Sequence, residues 1–561
     1  MTFSQSAARL CGSRLNLCAL ALAAAFPAFA QTLTPPDAGQ VLRDLRPAPE
    51  APVRGRATLN LPAEADASTE AGQRFLVRQI RVEGVQVLDK AEVRALVAPL
   101  EGQQLSLGDL RQLAQRITQL YRQHGYIVAR AFVPAQQVSD GSVLISVLES
   151  ELGAYRFDNR SLLSDAVLAP VVEAQRLQGQ PINADALDRT LLLLADLPGV
   201  ANVSGNLQPG DRVGTSDLII TAEPGKHVDA DFSIDSYGNR YTGQNRLNAR
   251  VTINGLSDHG DRLDLRGTAA DEGLLSGRAA YDLALNNDGL RGGVALSSTH
   301  YELGHEFASL DASGTVHTAS LYASWPLVRG LNRNVWLSGH LEWRKLRDRV
   351  RTTASQTDKQ IQAATFEANG DLADALAGGG YNTWRIAGTA GSLQIDSAAA
   401  LALDAAGPRT SGGYTKLQLG ASRLQNLPGN FTLAVIGSAQ WAGNNLDSSE
   451  KFVVGGAYGV RAYPQGQGVG DEGWLLNLEL RRMLVPGLQA SVFYDAGGAK
   501  YSHQAYATGR NRETLRGYGV GLTGQWNSFY GRAALAWRAG TAATVAPDRN
   551  PRLWLSAGYR F

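Results

Sequence analysis

At 561 residues the chain is too long for one ordinary domain, and a formal net charge of +1 supplies no global field that would favour nucleic acid as a partner. A hydrophobic fraction of 44% suits a soluble protein and equally a membrane barrel, where lipid-facing apolar residues alternate with polar lumen-facing ones. The 61 glycines fit many turns and crowded strand walls.

The first thirty residues read as a secretory signal peptide. Arg9 and Arg14 supply a positive start, 17–26 is apolar, and Ala28-Phe29-Ala30 is a small-x-small cleavage site that would leave Gln31 first. The apolar stretch is shorter than the roughly 20 residues a spanning helix needs. Cys11 and Cys18 are the two cysteines, and both lie in this segment. The mature chain is therefore expected to hold no disulfide, no thiolate nucleophile and no cysteine metal site, and no cofactor is expected. No later stretch has 18 consecutive apolar residues, which leaves a periplasmic, secreted or barrel-forming protein.

Residues 31–72 are rich in proline, alanine and charge. Within them 37–46 predicts a short helix: Asp37 can cap it, Val41, Leu42 and Leu45 form an apolar stripe, and Pro47 stops it. Residues 49–72 then read as a flexible linker.

Residues 73–150 predict a compact α+β module. A strand is expected over 75–85 and a short helix over 89–97. Ser106, with Asp109 three residues on, caps a second helix on which Leu107, Leu110, Leu113, Ala114, Ile117 and Leu120 recur at helical spacing up to Gly125. Strands follow at 126–133 and 142–148. Residues 151–226 repeat the β-α-α-β-β order, with strands at 152–157, 200–207 and 217–222 and helices at 164–174 and 183–194. The repeat is one of pattern rather than letters.

From about residue 228 the helical periodicity fades into short alternating segments separated by Gly, Asn, Asp and Ser. Segment 552–561 is the cleanest: Leu553, Leu555, Ala557, Tyr559 and Phe561 share one face, and Arg552, Trp554, Ser556, Gly558 and Arg560 the other. At roughly 20 residues per strand and connection, 227–561 holds about 16 strands, an even number as in bacterial single-chain barrels. The predicted fold class is thus α+β periplasmic modules followed by a transmembrane antiparallel β-barrel.

Three local motifs now carry a resemblance. They are Asp235-Ser236-Tyr237-Gly238-Asn239-Arg240-Tyr241-Thr242-Gly243, Val460-Arg461-Ala462-Tyr463-Pro464 and Phe493-Tyr494-Asp495-Ala496-Gly497. Together with the paired modules and the barrel they resemble the outer-membrane transporters of two-partner secretion, the haemolysin or adhesin secretion/activation proteins of the outer-membrane assembly superfamily. The resemblance covers essentially the whole mature chain. It implies that 73–150 and 151–226 are POTRA domains 1 and 2, and that the helix bearing Asp37, Val41, Leu42 and Leu45 is a plug inside the pore. It also implies that Val460, Arg461, Ala462 and Tyr463 form the tip of a long extracellular loop folded into the lumen, and that Arg461 pairs with Asp495 of the strand motif Phe493, Asp495, Gly497. Ala462 departs from the glycine usual there. Asp471 and Glu472 read as solvated.

The implied function is transport of a secreted exoprotein of haemolysin, adhesin or contact-inhibition toxin type, delivered unfolded to the periplasm and moved outward without ATP. Outer-membrane lipids would surround the barrel. An exposed sheet edge can pair with an extended segment through backbone bonds; the strand holding Val128 and Val133 and the one holding Val203 and Leu207 are the candidate edges. The alternative is an assembly factor that inserts other barrels. A barrel enzyme is disfavoured: the eight histidines are scattered, with neither an H-E-x-x-H nor a G-x-S-x-G motif. A simple porin would leave the two modules without purpose.

Overall fold

In the computed structural model, residues 35–45, 56–60, 73–138 and 140–561 are described. The expected signal peptide and parts of the expected linker lie outside the described residues.

The first module holds helices Lys90–Val97 and Leu107–Gln123 against two small sheets. Ser106 and Asp109 cap the long helix reciprocally, so two otherwise unpaired N–H groups are satisfied. Its apolar stripe, including Leu110, Leu113, Ile117 and Tyr121, is buried against Val143, Ile145 and Val147, alternate residues of strand Ser142–Leu148. Two expected strands are shorter than the sequence suggests. The 75–85 segment divides into Phe75–Val77 and Gln79–Glu83. Val77 and Ile80 are both buried although three apart, which no single period-two strand allows, and the chain switches sheets between them. In the 126–133 segment only Arg130–Phe132 is a strand. Gly125 at φ +84° turns the chain, Tyr126 N donates to Tyr121 O (2.9 Å), and 127–128 form a turn.

The second module carries helices Asp165–Ala174 and Ala184–Ala195 on a four-stranded sheet. Strand order across that sheet is Arg56–Asn60, Val200–Pro209, Thr215–Pro224, Glu151–Asn159. The first of these comes from the expected flexible linker. Thr58 pairs with Ser204 and Leu59 with Gly205 in parallel register, and Ala57 and Leu59 pack on the module core. The segment Arg-Ala-Thr-Leu-Asn has one β-branched residue, Thr58, and only two apolar ones, so its own propensity for a strand is modest; it becomes one where a free edge is offered, and nothing in its own sequence names the edge.

The remaining chain forms a closed barrel of 16 antiparallel strands, the last (Arg552–Arg560) pairing with the first (Val228–Asp235). Alternation sorts the two faces. In the last strand Leu553 and Leu555 are exposed on the outer wall, while Arg552 and Trp554 are buried inside. The three longest strands, Ala312–Arg329, Arg333–Val350 and Ser355–Asp374, have 18, 18 and 20 residues. Since about 9–11 residues cross a bilayer, these strands project beyond it. Two arginine–aspartate pairs tie the second module to barrel turns: Arg329 forks onto Asp196 (2.7 and 2.7 Å), and Arg189 Nη2 donates to Asp288 (2.8 Å). Burial pushes the Asp288 carboxyl up, but hydrogen bonds from Arg189 and Gln175 outweigh it and hold the group below the usual carboxylate range.

Candidate functional site: a plugged and latched lumen

Helix Ala38–Asp44 lies inside the barrel. Asp37 caps it, accepting from Gln40 N (2.9 Å). Ala38 and Val41 are buried in a cluster with Tyr241, Tyr301, Phe307 and Ile361, and Leu42 and Leu45 pack at its margin. Seven residues are too few for a helix to hold itself in water, so this packing and the polar contacts at its two ends hold it.

At the N-terminal end, Asp37 accepts from Ser448 Oγ (2.7 and 2.8 Å) and Lys359 Nζ (3.2 Å), and Ala38 N donates to Asp348 (2.8 Å). Lys359 also binds Asp447 (2.9 Å). At the C-terminal end, Asp44 accepts from Asn239 Nδ2 (3.2 Å) and Gln465 Nε2 (3.3 Å), and Arg43 donates to Ser448 O (2.9 Å). Gly39 permits this approach: a Cβ there would meet Ser448 Oγ at 2.2 Å and Ser449 N at 2.8 Å. Asn239 belongs to the opening hairpin; Ser448 and Gln465 belong to the loop between strands Phe431–Ala442 and Glu472–Val485. That loop is anchored below the helix by Glu450, 1% exposed, which binds Arg344 and Lys416 Nζ (2.6 Å to the latter).

Further along the same loop, Arg461 meets the strand motif on Leu488–Lys500. Nε donates to Asp495 Oδ2 (2.9 Å), Nη2 to Oδ1 (2.8 Å), and the Arg461 backbone N–H to Oδ2 (3.1 Å). The third guanidinium nitrogen, Nη1, binds Glu479 (2.8 Å), and the group lies 3.3 Å from the Phe493 ring centroid. Asn477, opposite Asp495 in the ladder, donates to Asp495 (2.8 Å) and to Gly459 O (2.9 Å). Trp554 Nε1 donates to Arg461 O (2.7 Å), and Tyr463 OH to Thr541 O (2.9 Å). Asp495 is 0% and Arg461 3% exposed. The fork geometry and the planar stack are available to arginine and not to lysine.

Ala462 carries no positive φ, so the tip needs no left-handed residue there. Its methyl sits where a Gly517 side chain would be: a Cβ at Gly517 would come within 2.5 Å of it. Val460 is fully buried beside it, and Gly497 places Val454 close to the wall.

Two expectations need correction. Asp471 is not solvated. It is 0% exposed, binds Lys451 Nζ (2.5 Å) and accepts from Leu446 N (3.2 Å) and His503 N (2.8 Å), so it pins the loop stem. Glu472 is half-buried with Lys500 and His503. The second is the pair of open edges. Val203 and Leu207 lie on a strand flanked on both sides, by Arg56–Asn60 and Thr215–Pro224. Val128 is in a turn and packs on the second module's core, and Val133 follows the short strand Arg130–Phe132, which does lie at a sheet edge. Glu479, Asn477 and the Ser448–Glu450 turn were not singled out from sequence, where an inward carboxylate on a barrel strand looks like any other lumen residue.

Periplasmic modules joined to a closed 16-stranded barrel with a loop folded into its lumen define an outer-membrane transporter of the two-partner secretion class. Residues 214–524 match the family described as haemolysin secretion/activation protein ShlB/FhaC/HecB, and residues 75–150 match the POTRA domain, ShlB-type. The chain belongs to that haemolysin secretion/activation family, which comprises transporters rather than enzymes and resides in the outer membrane with its POTRA domains in the periplasm. It is similar to the heme/hemopexin transporter protein HuxB of Haemophilus influenzae, 28% identical over 508 residues that cover 87% of this chain and 88% of the relative. It is also similar to the outer membrane transporter CdiB of Escherichia coli, 25% identical with 75% and 71% covered. The solved structure of CdiB from Escherichia coli shares the fold at a TM-score of 0.71, with 23% identity and 89% and 93% of the two chains covered.

Proposed function

We propose that this chain secretes one large exoprotein of haemolysin, adhesin or contact-inhibition toxin type. Its POTRA domains receive the partner unfolded in the periplasm, and its barrel passes it outward without ATP. The observation that carries this reading is the short helix Ala38–Asp44 inside the barrel, held by side-chain packing and by polar contacts at its two ends and not by strand pairing, so that as a plug it can leave without dismantling the wall. HuxB and CdiB, by their names, are transporters too.

Recognition by strand addition fits the sheet edges. The edge at Arg130–Phe132 is available to an extended segment. At Val200–Pro209 an incoming segment must first displace the linker strand Arg56–Asn60, which follows the plug in the chain. Binding there and loosening of the plug are therefore linked. The Arg461–Asp495–Glu479 cluster acts as a latch that keeps the loop against the wall while the lumen empties. Outer-membrane lipids face the apolar outer wall, and no nucleic acid takes part.

The test is co-expression with the N-terminal fragment of the large exported protein encoded beside this chain, measuring that fragment in the medium. Chain-dependent appearance is expected. A properly inserted barrel that leaves the fragment in the periplasm, for that partner and for other exoproteins of the class, sinks the reading in favour of a barrel-assembly factor.

A further inference from the structure

The outer wall of the barrel, away from the lumen, carries a feature that transport does not use. Cross-strand pairing lines up Leu265, Ala279, Leu296, Ala319 and Trp343 in one outward row. Large and small residues alternate across neighbouring strands, so two troughs run between three ridges. The ridges stand out: Leu265 is 39%, Leu296 66% and Trp343 43% exposed. The troughs lie two strands apart, about 10 Å at the usual strand spacing. Tyr281 and Leu321 stand in the next outward row toward the periplasm. The row from Leu265 to Trp343, with Ser298, His317 and Lys345 on its other side, lines a concavity of about 810 Å³.

The next row toward the cell exterior is polar. It contains Ser298, His317 and Lys345, with His317 bonded to Ser298 (3.1 Å). Along strand Arg333–Val350 the outward positions are apolar from Val335 to Trp343, except for a glycine at 339, and basic from Lys345 through Arg347 to Arg349. The apolar stretch is nine residues long, the bilayer-crossing length of a tilted strand, and it ends on a tryptophan of the kind that marks the interface. The basic end is the extracellular one, because the opposite ends of these strands carry the Arg329–Asp196 tie to the periplasmic module. Arg347 pairs with Asp358 (2.6 Å), and Arg349 donates to Gln356 (3.0 Å) while lying close enough to the same Asp358 carboxylate to feel its charge. Lys345 has no hydrogen-bond or ion-pair partner among the described residues.

We infer that this face binds a phosphorylated, multi-acylated glycolipid of the outer leaflet, its acyl chains in the troughs over Ala279 and Ala319 and a phosphate on Lys345. An uncompensated cation at the rim of the hydrocarbon layer calls for an anion at that depth, and the outer leaflet supplies it as a headgroup phosphate. Paired troughs favour several chains on one headgroup over a single-chain amphiphile. Arg349 lies four residues beyond Lys345, about 13 Å along the strand, within reach of a second phosphate on the same headgroup.

The test uses the full-length protein, delipidated in detergent and titrated with a bisphosphorylated hexa-acyl glucosamine lipid or with phosphatidylglycerol, with bound lipid counted by native mass spectrometry. Heat-dependent gel mobility verifies a folded barrel in each sample. The expected result is one glycolipid bound at least about tenfold more tightly than phosphatidylglycerol, with about a tenfold loss in Lys345→Glu and again in Ala319→Trp, which fills a trough. If Ala319→Trp does not fold, Ala279→Trp fills the other trough. No binding, equal binding of phosphatidylglycerol, or loss in only one class of variant overturns the site.

Discussion

Replacing Asp37 by alanine tests whether the helix closes the pore through its end contacts. The substitution removes the N-cap, which costs about 1 kcal/mol. It also removes the acceptor of Ser448 Oγ and of Lys359 Nζ; a charge-assisted hydrogen bond contributes roughly 1.5–3 kcal/mol. Two features favour the low end. Lys359 keeps Asp447 at 2.9 Å, and the Asp37 side chain is 30% exposed in the lumen. The carboxylate of Asp348, bound to Ala38 N at the same end, repels Asp37 and takes back a further part. The net is about 2–3 kcal/mol, so the open-to-closed ratio rises roughly 30- to 150-fold. Single-channel recording in planar bilayers reads that ratio directly. Asp37→Asn keeps the cap and loses the charge, and is expected between wild type and Asp37→Ala. An unchanged open probability in Asp37→Ala, with the barrel folded, refutes the claim that these contacts hold the pore shut.

Arg461→Ala leaves Asp495 buried without its cation, while Glu479 keeps Arg481 (3.0 Å), at a cost of about 3–5 kcal/mol; Arg461→Lys recovers only part, since the fork and the stack on Phe493 are lost. Protease access to residues 443–471 in intact cells, together with exoprotein release, reports it: faster cleavage and lower secretion are expected. Gly517→Ala sets two methyl carbons 2.5 Å apart and should destabilise the barrel by about 1–3 kcal/mol; Ala462→Gly in the same chain should recover most of it, read as the temperature of the heat-induced gel shift. The Asp288 carboxyl is depressed by Arg189 and Gln175, so its contribution is present above its unfolded pKa and is lost as pH falls through the folded value. Because the side chain is 41% exposed, the effect is at most about 1 kcal/mol. Hydrogen exchange at the 286–289 turn should differ between wild type and Asp288→Asn at pH 7 and converge only as the pH falls below the depressed folded-state value.

Much of the chain was legible because its signals are local. The Ser106–Asp109 capping pair and the 3.6-residue apolar repeat place helix Leu107–Gln123, and period-two alternation places strand Arg552–Arg560 and sorts its residues onto two faces. The Arg461 and Asp495 motifs were readable as motifs. Their partner Glu479 was not, because a lone inward glutamate acquires meaning only when a loop folds onto it.

The sequence by itself determined the helices and strands of the two modules, the short helix capped by Asp37 and the alternating segments of the barrel, each from residues within one element, whose periodicity and caps act over a few positions. The number of barrel strands followed from the length of the region, and the pairing of Arg461 with Asp495 from the family resemblance. Only the tertiary structure decided that Arg56–Asn60 becomes a strand on Val200–Pro209, that Asp471 is sealed in the loop stem, and that Gly39 lets the plug rest on Ser448. Those outcomes depend on which edges and cavities remain once sixteen strands have closed, and edges and cavities are properties of the assembled wall rather than of any segment that lines it.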